Sequence, residues 1–169
     1  MKKNILLVIV LFLIVQSIKA QVYTDRPVKF GIGAVAGLPM SDAKSFYNLA
    51  YGFDVMAEYR ISPAFALTGD GCYGTFTRKS DNNPSMKLVY GLVGFKYFAT
   101  DIIYAELQGG LSIKQSHGTS TVYIITPSIG VNITPDIDLS VKYQAQVEQG
   151  YNYPYIGLRL GIKILSINL

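Results

Sequence analysis

From residue 28 onward, apolar and polar side chains alternate in eight runs separated by clusters of Gly, Pro, Asn, Asp and Ser. A period of two is the pattern of a β-strand whose two faces meet different surroundings. The runs predict strands at about 28–38, 50–60, 65–78, 88–97, 103–114, 121–133, 138–148 and 156–164. The fifth is the cleanest: Ile103, Ala105, Leu107, Gly109, Leu111 and Ile113 alternate with Tyr104, Glu106, Gln108, Gly110, Ser112 and Lys114. In the sixth, Pro127 has no N–H to give a ladder, which predicts a bulge there. After Ile164 the alternation shifts by one residue through Leu165-Ser166-Ile167-Asn168-Leu169.

The connections alternate as well. Those after runs two, four and six are short (61–64, 98–101 and 134–137), and each carries turn-forming residues. Those after runs one, three, five and seven (39–49, 79–87, 115–120 and 150–154) are mostly longer and more polar. Short turns at one rim and long loops at the other are the mark of an outer-membrane barrel, with the short turns on the periplasmic side.

When each strand's phase is set by its apolar residues, fourteen charges fall on the polar faces: Lys29, Asp54, Glu58, Arg60, Asp70, Arg78, Lys96, Glu106, Lys114, Asp138, Lys142, Glu148, Arg159 and Lys163. None falls on an apolar face. A Lys or Arg facing lipid at mid-depth costs about 2–4 kcal/mol, which gives this sorting a cause. The dry core of a soluble barrel would exclude charge equally well, so a soluble lipocalin-like carrier is the alternative reading. Only 15% of residues are charged, against about 25% in an average soluble domain, and that favours the membrane. The expected fold is all-β: an eight-stranded antiparallel up-and-down transmembrane β-barrel.

Aromatic residues are expected to form two interfacial belts. Phe46, Tyr47, Tyr51, Tyr73, Phe76, Tyr123, Tyr151, Tyr153 and Tyr155 fall near the long-loop rim, and Tyr59, Phe65, Tyr97 and Phe98 near the other. A helical span over 115–135, which holds no acid, Lys or Arg, fails on its Ser and Thr content, its central proline and its many β-branched residues.

Residues 1–20 read as a secretory signal peptide, with Lys2 and Lys3 before an apolar run from Ile5 to Val15 that is too short to span a bilayer. Cleavage is expected between Ala20 and Gln21, leaving 21–169 as the barrel domain. The signal takes three of fifteen bases and no acid, so the net charge falls from +4 to +1. No basic cluster is left to bind nucleic acid. Cys72, the single cysteine, has no internal disulfide partner.

The opening strand Phe30-Gly31-Ile32-Gly33-Ala34, the turn Tyr59-Arg60-Ile61-Ser62-Pro63 and the stretch from Gly91 through Phe95-Lys96-Tyr97-Phe98 resemble the outer-membrane β-barrel domain family, PorT-like proteins included. The resemblance covers the whole chain after the signal and implies a small barrel in the outer membrane of a diderm (Gram-negative) bacterium. An accessory role in secretion or motility would follow only by analogy with that family.

Eight strands enclose a space that side chains just fill. The inward charges, Asp54, Glu58, Arg60, Asp70, Lys96, Glu106, Lys142, Glu148 and Arg159 among them, are therefore expected to pair across the lumen, for instance Glu58 or Glu106 with Arg159 or Lys96. Their expected role is structural. No catalytic, cofactor-binding or metal-binding residue is predicted. His117, the lone histidine, lies beside Ser116, Thr119 and Ser120 with no carboxylate to orient it. The expected function is a non-enzymatic envelope role, by membrane anchoring, stabilisation or loop-mediated surface interaction; a lipid-modifying enzyme using His117 is the alternative. Expected partners are outer-membrane lipid, the barrel-assembly machinery and a surface ligand at the long loops, with the chain as a monomer.

Overall fold

The computed structural model describes residues 27–79, 85–115, 119–148 and 151–168. The proposed signal peptide, the cleavage site and His117 lie outside these residues. The long strands are β1 (Pro27–Pro39), β2 (Tyr47–Arg60), β3 (Phe65–Arg78), β4 (Met86–Phe98), β5 (Ile103–Gln115), β6 (Thr119–Asn132), β7 (Ile137–Glu148) and β9 (Tyr155–Asn168). A two-residue strand, β8 (Tyr151–Asn152), pairs with the end of β7, and a single helical turn, α1 (Ala43–Phe46), precedes β2.

Each long strand pairs antiparallel with its neighbour in sequence, and β9 pairs with both β7 and β1. The sheet is a closed, eight-stranded up-and-down barrel with no free edge. Closure at the β1–β9 seam contains one bulge: Phe30 faces Leu165 whereas Gly31 faces Lys163, so Ile164 is the extra residue. This is where the alternation in the sequence slips by one. Beyond it Leu165 and Ile167 regain the outer face, at 55% and 43% exposure.

The bulge expected at Pro127 does not form. Pro127 pairs with Leu107 in unbroken register on the β5 side, and on the β7 side the ladder stops after Ile125 and resumes in the same register at Ser128. The missing N–H opens the ladder locally without adding a residue. Loop lengths also depart from expectation: β5 and β6 extend until only 116–118 separate them, fewer residues than the four in each turn at the other rim. The remaining long-loop connections are longer, so the asymmetry holds in three of four.

The faces sort as the charges did. Val93, Phe95, Leu107, Tyr123, Ile129 and Leu158 point outward and are more than half exposed, whereas Asp54, Glu58, Lys96, Asp138, Lys142 and Arg159 point inward and are buried. A soluble lipocalin-like carrier would need the opposite arrangement. An apolar exterior over a closed barrel is a lipid-facing one, since water would have to solvate a continuous hydrocarbon band.

The aromatic belts are thinner than expected. Tyr47, Phe76, Phe98 and Tyr155 point into the lumen and are 2–5% exposed. Phe76, Phe98 and Tyr155 share parity with the charged residues of their strands. Tyr47 changes face because Tyr47 faces Arg78 while Leu49 faces Thr77, a bulge at Asn48 that reverses the phase of the strand. Tyr51, Tyr123 and Phe65 stay on the outer wall, at 48%, 68% and 39% exposure.

Candidate functional site: the lumen and its mouths

The centre of the lumen is organised by one guanidinium. Arg159, on β9, donates from Nε to Asp54 Oδ2 at 2.9 Å and from Nη2 to the other oxygen of the same carboxylate, a two-pronged geometry that lysine cannot copy. Its Nη1 donates to Asp138 Oδ1 at 3.2 Å, and the Tyr104 hydroxyl donates to that same oxygen at 2.9 Å. Charge is thus shared among β2, β7 and β9, with Tyr104 of β5 tied in.

Glycines make the room. Gly33 on β1 pairs with Asp54 on one side and Gly161 on the other, so the strand lying between Arg159 and Asp54 has no side chain at that level. A Cβ at Gly33 would sit 2.6 Å from Arg159 Nη2 and Asp54 Oδ1, and one at Gly161 would sit 2.5 Å from Arg159 Nη1 and Asp138 Oδ2. Gly161→Ala is therefore expected to push the Asp138 carboxylate off Arg159 and cost about 1–3 kcal/mol, the range for a buried polar group left without its partner. Urea titration of the folded band on unboiled gels measures this, with the outward, unobstructed Gly109→Ala as the unaffected control.

A second group lies nearer the short turns. Lys96 Nζ donates to Glu58 Oε2 at 2.8 Å and stands 4.4 Å from the centre of the Tyr104 ring, a cation–π contact. Glu106 lies opposite Lys96 in the β4–β5 register and accepts from the Ser128 hydroxyl at 3.5 Å. Asp70 accepts from Gln108 Nε2 at 2.9 Å. Lys142 is buried opposite Ser128, and Arg60 lies over the Phe98 ring at 3.9 Å. The Glu148 side chain lies outside the described residues.

Of the expected pairs, Glu58 with Lys96 is present. Arg159 joins Asp54 and Asp138 instead of Glu58 or Glu106. The sequence pattern does not single out Tyr104, Gln108 or Asn132, whose Oδ1 accepts from Lys163 Nζ at 3.3 Å, as network members, nor Gly33 and Gly161 as their enabling gaps. Parity places all five on the inner faces, so position was available even though partnership was not.

Toward the long-loop rim the interior turns apolar. Phe76 meets Tyr47 and Tyr155 edge-on, with ring centres 5.5 and 5.7 Å apart, above Tyr90, Leu88 and Leu92. Tyr155 donates to Gln144 Oε1 at 3.1 Å. The void left among these side chains is about 10 Å³, at the lower limit for one water molecule. Cys72 is buried here as a free thiol. No group of three or more His, Cys, Asp or Glu among the described residues is placed to hold a metal.

No protein-family model and no curated protein matches the chain. Solved structures do. Ail, the attachment invasion locus protein of Yersinia pestis, superposes with a TM-score of 0.57 at 14% identity over 83% of this chain and 99% of its own. The N-terminal β-barrel domain of OprF from Pseudomonas aeruginosa gives 0.58 at 15% identity, covering 82% of this chain and 98% of that domain. A de novo designed transmembrane β-barrel gives 0.54 at 14% identity, covering 86% and 99%. At such identities the similarity is one of fold. That fold, with the lipid-facing exterior described above, is an outer-membrane β-barrel.

Proposed function

We propose that the protein is a non-enzymatic barrel of the outer membrane that acts as a rigid, non-conducting anchor, stabilising the membrane and holding its long-loop rim for contact with a surface ligand. The filled lumen carries this reading. Ion pairs cross its centre, and an aromatic and aliphatic cluster packs its long-loop half around a void of about 10 Å³ among the described residues. The outer-membrane neighbours support an envelope role at the level of fold. The PorT-like placement is supported by the strand and turn motifs alone. Outer-membrane lipid and the barrel-assembly machinery are its partners in this reading, and the chain acts as a monomer.

Conductance is the test. Wild-type barrel reconstituted into planar lipid bilayers is expected to give no discrete current steps, whereas Phe76→Ala combined with Tyr155→Ala opens the cluster and introduces them. Discrete steps from the wild type would reject the non-conducting reading. His117→Ala is expected to leave the phospholipid composition of expressing cells unchanged; a loss of lipid turnover would favour the enzyme.

A further inference from the structure

The short-turn mouth differs from the lumen behind it. Arg159 and Lys96 are held by carboxylates, but the three bases lining the open cavity at this rim, Lys29, Arg60 and Lys163, make no ion pair among the described residues. Lys29 Nζ reaches only the Pro135 carbonyl, at 3.4 Å, and Lys163 Nζ only Asn132 Oδ1, at 3.3 Å. The Arg60 guanidinium lies over Phe98 with its donors uncommitted. Lys163 is 8% exposed, and its one hydrogen-bond acceptor is a neutral oxygen, with the Glu58 and Asp138 carboxylates acting on it only through space. A largely buried cation without a direct carboxylate partner keeps donors free for an incoming anion.

Two acids line the same cavity. Glu58 is already bound by Lys96, and Asp101 sits exposed in the turn between β4 and β5. Three bases line the cavity against these two acids, a local charge of +1. The cavity holds about 420 Å³, enough for a small ligand with its water. An arginine fork flanked by two ammonium groups is suited to phosphate, with the fork giving directional bonds and the lysines acting as point charges.

We infer that the short-turn mouth is a binding site for a phosphate group, taken as a dianion between Arg60, Lys29 and Lys163. The site rests on the fold alone and is independent of the anchoring role proposed above. In an outer-membrane barrel it opens toward the periplasm, where the group can arrive on a soluble phosphate monoester or on a lipid headgroup.

The experiment titrates inorganic phosphate into the full chain, folded in a micelle of uncharged detergent, by isothermal calorimetry at fixed ionic strength in chloride. The wild type is expected to show saturable one-site uptake. Arg60→Gln with Lys163→Gln is expected to weaken it at least tenfold, and Lys44→Gln with Lys79→Gln, at the opposite rim, to leave it unchanged. Should the first pair fail to give the folded band on unboiled gels, Arg60→Gln alone, which breaks no hydrogen bond, is expected to weaken uptake severalfold. Glycerol 3-phosphate and dihexanoylphosphatidic acid then compete for the site, and the tighter of the two identifies the source. Absent uptake by folded wild type, or equal uptake by wild type and the Arg60 variants, would overturn the assignment.

Discussion

Arg159→Ala is expected to lower the stability of the folded barrel by about 3–5 kcal/mol, the cost of breaking a buried ion pair from one side. The magnitude follows from what remains. Asp54 and Asp138 are 3% and 0% exposed, and without the guanidinium they face each other as like charges with Tyr104 as the one remaining donor to either that the structure places there. Urea titration in lipid vesicles, read as loss of the heat-modifiable band, would give a midpoint far below that of the wild type. Arg159→Ala combined with Asp54→Asn and Asp138→Asn is expected to recover most of the loss, because the charges and their desolvation leave together. If the triple variant is no more stable than Arg159→Ala, the damage comes from lost packing against Met56, which the guanidinium also touches at 3.1 Å.

The second large effect lies on the other side of the wall. Val93, near the middle of β4 and 71% exposed, is expected to tolerate Leu or Ile, whereas Val93→Arg costs about 2–4 kcal/mol in a bilayer. Leu38→Arg, near the long-loop end of β1, is expected to cost no more than about 1 kcal/mol, since the penalty fades toward the interface. Folding yield in vesicles measures both. Equal tolerance of arginine at the two sites would mean that Val93 does not face hydrocarbon.

How much of this was legible in the sequence depended on how local the deciding interaction was. Alternation in β5 is enough for its strand and its two faces, because period two is a property of a single segment. The slip after Ile164 is visible in the pattern too, although only the closed seam shows that it is a bulge. The face of Tyr47 is not, because one bulge at Asn48 reverses it and nothing at that position announces it. Phe76, Phe98 and Tyr155 have the aromatic character of belt residues, but their parity puts them inside. The interior accepts them because a narrow barrel must be filled, and apolar side chains fill it as well as ionic ones.

Partnership was harder still. Arg159 and Asp54 are 105 residues apart and meet only because the barrel closes β9 onto β1 and β1 contributes Gly33 at their level. Each of those conditions is a property of the closed cylinder and of its stagger, and none belongs to a local window of sequence. The same holds for the uncommitted bases at the short-turn mouth, which come from β1, β2 and β9.

The arrangement of faces is tested most directly by spin-label accessibility along β4. With Cys72→Ser as background, single cysteines at positions 88 to 93 are labelled in turn, the barrel is reconstituted in lipid, and collision with oxygen is measured. Labels at 89, 91 and 93 are expected to show high oxygen accessibility and those at 88, 90 and 92 low accessibility, a clean period of two. The reverse phase, or oxygen accessibility without alternation, would contradict a barrel that turns its hydrocarbon side chains to lipid and its ion pairs inward.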